Sequence, residues 1–397
     1  MPLHTTENVK DRKNAPRVFF YVQHLLGTGH LRRSALLADA MHKMSMEVHV
    51  ISGGRSGGEM PGDVATVQLP PLRAKDPSFS ALVDESGAEP GPEWLSGRRR
   101  LLLDQYRALA PDVVVIESFP FGRRKLRFEL IPLLEEIHRT NPRPLVACSV
   151  RDIVQARKPA RMSETVDLLL ERFDHVLVHG DPGFVRLEES FAAANRIAHQ
   201  IHYSGYVASP PSPTHAKTGR EEVLVSGGGG AVSARLLATA IEAHAISRHS
   251  AALWRILAGP NIDDGVFETL RSMASHGVRV ERNRADFTTL LRNCSVSISQ
   301  CGYNTALDLI QAGARSIVVP FEGEGETEQL LRARKLEECS LVEVVTEKEL
   351  SPEVLAAAID RRASGPRPSE PDLDLDGAAA SARFLLDTWL NRGQYTH

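Results

Sequence analysis

The sequence is poor in cysteine, in aromatic residues and in net charge, and it has no long apolar run. Each shortage excludes something. The four cysteines, Cys148, Cys294, Cys301 and Cys339, form no CxxC pair and no Cys/His cluster with zinc-ligand spacing. Neither a disulfide framework nor a metal site is therefore expected, and the thiols read as buried and reduced. Lys and Arg number 47 against 50 Asp and Glu, a formal charge of −3, which argues against nucleic acid as a partner. No apolar stretch approaches the roughly 20 residues that a membrane-spanning helix needs. The first 16 residues are polar and charged, without the apolar core of a secretory signal. A cytoplasmic protein is expected, with peripheral contact at the inner face of the membrane left open. Aromatics make up only 6%, but hydrophobic residues reach 42% of 397, enough for the ordinary cores of two domains.

What is present is a rhythm of short apolar strands and helices. Arg17–Val22 reads as a strand that runs into a turn at Gly27-Thr28-Gly29-His30 and then a helical pattern. Further strands are expected at Glu47–Ile51, Asp112–Ile116, Pro144–Ser149 and His175–His179. The stretch Tyr206–Gly219, rich in Pro, Ser and Thr, breaks the rhythm and reads as a linker. The pattern restarts with Glu222–Ser226, a glycine run at Gly227–Gly230 and a helix to His244. Strands follow at Leu253–Ala258, Val278–Glu281, Val296–Ser299, Ser316–Pro320 and Leu341–Val345. This alternation predicts an α/β fold with parallel sheets covered on both faces. The expected division is 1–205, a linker at 206–220, 221–377, and a terminal helix from 378 that crosses back to the first domain. Leu385, Leu386, Trp389 and Leu390 supply the apolar face of that helix.

Two features carry chemistry. Ser226, Gly227, Gly228 and Gly229 follow a strand and precede a helix, so their backbone N–H groups suit an anion such as a diphosphate. No Lys-Ser/Thr follows, which excludes a P-loop. The second is the block Gln300-Cys-Gly-Tyr-Asn-Thr-Ala-Leu-Asp308, with Ala312-Gly313, Pro320-Phe321 and Glu328-Gln329 after it.

At these positions the chain resembles the family 28 glycosyltransferases, and more closely their predicted-glycosyltransferase branch. The branch also looks similar at Phe20–Arg33, Glu117–Arg124, Val178–Asp181 and Tyr203–Tyr206. The chain departs from the family at Glu322–Thr327, a loop one residue longer that carries three carboxylates. The resemblance implies the GT-B architecture, two Rossmann-like domains facing across a cleft, with the acceptor on the first and the nucleotide on the second. It implies an inverting transfer from a UDP-sugar to an acceptor hydroxyl, in polysaccharide or glycolipid synthesis. The donor is a co-substrate, and no resident cofactor is expected. On this reading Ser226–Gly229, Gly302, Tyr303, Asn304, Thr305, Asp308, Glu328 and Gln329 hold the donor. Asp308 would accept both ribose hydroxyls, and Glu328 and Gln329 would read the sugar. His30 is the expected base, with Glu117 as its competitor. Gly27, Thr28, Gly29, Arg123, Arg124 and Asp181 face the acceptor.

Plainer alternatives stand beside these roles. Asp308 can be a solvated helix residue, Glu328-Gln329 an ordinary first turn, and His24, His30 and His179 structural. The basic-aromatic cluster Phe119–Phe128 suits anionic lipid or a phosphate-bearing acceptor, or is a solvated helix face. Asp372-Leu-Asp-Leu-Asp376 contains a DxD pattern but reads as a solvated linker. A sugar-nucleotide epimerase or hydrolase, or a non-catalytic partner subunit, could use the same frame.

Overall fold

Short runs of Val, Ile, Leu and Phe that are apolar on both faces cannot lie at a surface, and here they form the central strands of two sheets. The structure, a computed structural model, describes residues 15–25, 29–54, 60–75, 81–210, 217–229 and 232–394. The first half runs β1 (Arg17–Val22), α1 (Gly29–Lys43), β2 (Glu47–Ser52), β3 (Ala65–Gln68) and a small hairpin, β4 (Arg73–Ala74) with β5 (Leu82–Val83). It continues with α2 (Pro92–Leu109), β6 (Val113–Glu117), α3 (Arg127–Arg139), β7 (Leu145–Arg151), α4 (Pro159–Arg172), β8 (His175–His179) and β9 (Ile201–Tyr203). The second half runs β10 (Val223–Ser226), α5 (Ala234–His244), β11 (Trp254–Ala258), α6 (Asp264–Met273), β12 (Val278–Arg282) and α7 (Phe287–Asn293). It ends with β13 (Val296–Ser299), α8 (Tyr303–Ala312), β14 (Ser316–Val318), α9 (Glu328–Glu338), β15 (Val342–Val344), α10 (Pro352–Ala363) and α11 (Gly377–Gln394).

The first sheet has the order β3-β2-β1-β6-β7-β8-β9 and the second β12-β11-β10-β13-β14-β15, with parallel pairing throughout both. Both are doubly wound. The strand order reverses beside β1 in the first sheet and beside β10 in the second, and a crevice opens outside the carboxyl ends of such strands. The β1–β6 crevice and the β10–β13 crevice therefore locate the two halves of a site.

Helix α11 packs on the first sheet. Ala382 and Leu385 are buried with Val18, Met41 and Val113, and Phe384, Leu386 and Trp389 flank them. Leu390, expected on the same face, is instead 50% exposed. The segment before α11 is an ordered strap rather than a loose linker. Tyr206 N–H donates to the Asp374 carbonyl at 2.7 Å, and Val207 bridges Asp376. Leu373 and Leu375 lean on Tyr206, Tyr303 and Leu307 while the alternating aspartates point out. Among the described residues no cluster of acidic, His or Cys side chains could hold a metal.

Candidate active site

The carboxyl edges of the two sheets meet, and side chains from both close the gap. On the first sheet His30 stands in the first turn of α1, and Glu117 ends β6. They are 87 residues apart in sequence, yet His30 Nδ1 lies 2.5 Å from Glu117 Oε1. Glu117, expected as a competing base, is thus placed directly against His30. The buried carboxylate accepts the Nδ1 proton, which fixes the tautomer and leaves Nε2 as the basic nitrogen. Glu117 is wholly buried and also pairs with Arg33 and, at 3.5 Å, with Arg123. Burial alone would raise its pKa, but His30, Arg123 and Arg33 carry it well below the usual carboxylate value. Burial lowers the His30 pKa to about 3 against the pull of Glu117, and Arg123 and Arg151 push the same way. The imidazole is neutral at physiological pH.

On the second sheet the turn after β10 faces the start of α8. Gly228 has φ +63° and donates its N–H to Ser226 Oγ at 3.2 Å. A side chain on Gly227 would collide with Ser233, so close packing of turn on helix requires glycine there. The Gly229 carbonyl accepts from Asn261 at 2.6 Å. Gly302 is the N-cap of α8 and, as a glycine, makes no side-chain cap hydrogen bond to the first turn. A Cβ added to Gly302 would meet nothing within 4 Å. A helix N-terminus beside open space suits an anion.

Several of the expected ligand residues also join the two halves. Both oxygens of Asp308 accept from the Arg32 guanidinium, at 2.8 and 2.9 Å. Arg32 carries the planar, two-pronged donor that a carboxylate fits best, and α1 aims it across the interface. Glu328 lies between Arg151 at 2.7 Å and Arg332 at 3.0 Å. The Gln329 side-chain oxygen accepts the N–H groups of Cys301 and Phe321, at 3.0 and 3.2 Å, and so ties together the loops after β13 and β14. Tyr303 is buried as a pin between the halves. It accepts the Val207 N–H at 3.0 Å and donates to the His179 carbonyl at 3.1 Å. Asp181 holds the strap, accepting from Gly183 at 2.7 Å and from Asp374 at 3.1 Å.

The basic-aromatic cluster also resolves into structure. Phe119 and Phe121 are buried, and Phe128 packs against the same core. Arg124 and Arg127 both pair with Glu164. Only Arg123 of this group turns toward the cleft. Gly27 and Thr28 lie outside the described residues, and Gly29 opens α1. No described helix is long and apolar enough to cross a membrane.

The residues that sequence reasoning missed are Arg33, Arg151, Asp152 and Arg332. Asp152 and Arg332 form a fully buried two-point pair at 2.7 and 3.1 Å across the interface. Arg332 is one helical turn beyond Glu328, and Arg151-Asp152 directly follow an apolar strand. Those positions were signals that could have found them.

Residues 223–373 match the model of the glycosyltransferase family 28 C-terminal domain. One curated relative is UDP-N-acetylglucosamine–N-acetylmuramyl-(pentapeptide) pyrophosphoryl-undecaprenol N-acetylglucosamine transferase of Thermotoga neapolitana. It is 32% identical over 76 residues, 19% of this chain and 22% of the relative, so the match spans about a fifth of the relative's length. Among solved structures, the calicheamicin glycosyltransferase CalG4 superposes with TM-score 0.60 at 14% identity, over 97% of this chain and 100% of that one. MurG of Acinetobacter baumannii does so with TM-score 0.55 at 12% identity, over 94% and 100%. The spinosyn rhamnosyltransferase SpnG complexed with thymidine diphosphate gives TM-score 0.56 at 16% identity, over 94% and 96%. The chain thus has the two-domain GT-B fold of glycosyltransferases, and its residues 223–373 are similar to the family 28 C-terminal domain.

Proposed function

We propose that this protein is a glycosyltransferase that moves a sugar from a nucleoside diphosphate sugar to an acceptor hydroxyl, with inversion at the anomeric carbon. One observation carries the reading: a neutral histidine whose Nδ1 is 2.5 Å from a buried carboxylate, at the crevice of the first sheet. His30 Nε2 takes the acceptor's hydroxyl proton. The freed oxygen attacks C1 of the sugar as the bond from C1 to the diphosphate oxygen breaks. The diphosphate leaves with the bonding pair, and its charge falls at the N-terminus of α8. Glu117 stabilises the imidazolium. UDP is the nucleotide we favour, since the Thermotoga neapolitana relative is named for a UDP-sugar. Solved neighbours named with thymidine diphosphate and dTDP make that base the alternative. An acceptor from cell-surface polysaccharide or glycolipid synthesis belongs to the same proposal.

Calorimetry with UDP, dTDP and their sugars tests the donor half. The proposal expects micromolar to millimolar binding of at least one and transfer to a hydroxyl acceptor. Binding of none of them would overturn it. Turnover of a donor without any acceptor would make the protein an epimerase or a hydrolase.

A further inference from the structure

Arginine outnumbers carboxylate where the two halves meet. Arg33, Arg123, Arg151 and Arg332 share Glu117, Asp152 and Glu328. At the rim, Arg157 and Glu326 interact and add one charge of each sign. With the Arg32–Asp308 pair, six guanidinium groups therefore face five carboxylates, and His30 between them is neutral.

The surplus is concentrated at Arg123. Its side chain is only 9% exposed, its one ion pair is the long 3.5 Å contact to Glu117, and its buried Nε has no hydrogen-bond partner among the described residues. A buried donor without a partner is costly unless a ligand supplies one. Arg123 has φ +58°, a left-handed conformation that a side-chain-bearing residue seldom adopts, and its side chain lies against Glu117 while Arg124 and Arg127 run out to Glu164. Arg151 approaches from β7, with Nη2 at 3.3 Å from His30 Nε2. Arg151 thus covers the lone pair of the basic nitrogen, and Arg123, which it repels and which also opposes a charge on His30, stands against Glu117 beside the same ring.

We infer that Arg123 and Arg151 form an oxyanion subsite beside His30 Nε2, which holds a carboxylate or phosphate carried by a substrate. The anion satisfies Arg123, and by drawing Arg151 toward itself it uncovers Nε2 for the hydroxyl to be deprotonated. The substrate class is then a hydroxyl compound or a sugar donor that bears an anionic group near the reacting centre, such as a uronate, a hydroxy acid or a sugar phosphate. The inference rests on reading the cleft as an active site, but its test needs no turnover.

Inorganic phosphate is titrated into wild type, Arg123→Gln, Arg123→Lys and the surface control Arg107→Gln at constant ionic strength. Calorimetry and the ¹⁵N shift of His30 are the readouts. Millimolar binding that moves the His30 resonance is expected for wild type and Arg107→Gln. Arg123→Lys, which keeps the charge but not the fork, should bind more weakly, and Arg123→Gln at least tenfold more weakly. Absence of phosphate binding to wild type, or binding that Arg123→Gln leaves unchanged with its melting temperature intact, would sink the subsite. If Arg123→Gln fails to fold, the wild-type His30 shift and Arg123→Lys still decide.

The source of the anion is settled by repeating the titration with UDP bound. Additive binding places the anion outside the donor's diphosphate, whereas competition assigns it to the diphosphate and overturns a separate subsite. A uronate on the donor is recognised by tighter binding of UDP-glucuronate than of UDP-glucose that Arg123→Gln abolishes. Loss of UDP binding alone would count against the transferase reading and leave the phosphate result standing.

Discussion

At the scale of single residues, the chemistry turns on what burial does to His30. A histidine in water titrates near 6.5, but this one is lowered to about 3. If His30 is the base, as proposed, it is already unprotonated in the free protein, and no acid limb near pH 6.5 is expected in kcat/KM between pH 5 and 7. A rate profile that falls with a pKa of 6–7 would contradict this. His30→Ala should lower turnover by roughly 10²–10⁴-fold with donor affinity near normal. Glu117→Gln should slow turnover as well, because an amide cannot stabilise the imidazolium. It should also weaken the fold, since Arg33 is left buried without its carboxylate.

The same shifts fix a pH dependence of stability. His30, His175, His179 and His202 all have pKa values lowered by burial. The unfolded chain takes up protons below about pH 6.5 that the folded chain refuses, so stability is present above that value and lost as pH falls. Glu117, held low by its cations, adds to the loss at still lower pH. Thermal melts from pH 8 to pH 4 should show a falling midpoint from about 6.5 downward; a flat or rising trend would contradict the burial argument.

At the scale of elements, helices α1 and α8 are set against each other by Arg32 and Asp308. If Asp308 takes the nucleotide ribose, as the family resemblance implies, Arg32 competes for its two oxygens and a donor has to displace it. Arg32→Ala and Asp308→Ala should then change nucleotide affinity in opposite directions. The first should tighten binding, and the second should weaken it by about 1.5–3 kcal/mol, the worth of a hydrogen bond to a charged group. Calorimetry with UDP or dTDP on both variants checks this, and weakening by both would show that the pair aids the site. Helix α11 gives a simpler contrast. Leu385 is buried and Leu390 is exposed. Leu385→Ala should cost about 2–5 kcal/mol in denaturant unfolding, and Leu390→Ala no more than about 0.5 kcal/mol.

At the scale of the whole molecule, the two sheets are joined by charge that is out of water. Asp152 and Arg332 are fully buried, with Tyr206 adding a hydrogen bond to Asp152 at 3.3 Å. Burial lowers the Arg332 pKa, but Asp152 and Glu328 more than reverse that and hold it charged. Removing one partner leaves an uncompensated charge, so Asp152→Ala should destabilise by about 3–5 kcal/mol, while replacing both by apolar residues of similar volume should cost far less. Equilibrium unfolding of the single and double variants decides between these outcomes. Equal loss in both would mean that packing, not charge, holds the interface.

The sequence by itself determined the two βα series, the glycine turns and the chemistry-bearing edges. Those follow from local rules: a strand buried on both faces must be apolar, and a turn that closes on a helix must be small. It did not reveal β3 or β9, whose edge positions demand no apolar run; β3 reads Ala65-Thr-Val-Gln68 and stays largely exposed. The stretch where the family resemblance is most specific, residues 300–335, did not tell what its side chains would touch. Only the tertiary structure decided that Glu117 serves His30, that Arg32 occupies Asp308, and that Asp181 ties down a strap 193 residues away. Partnership between charges depends on which of many arginines and carboxylates are brought within about 3 Å out of water, and residue spacing along the chain carries no information about that distance.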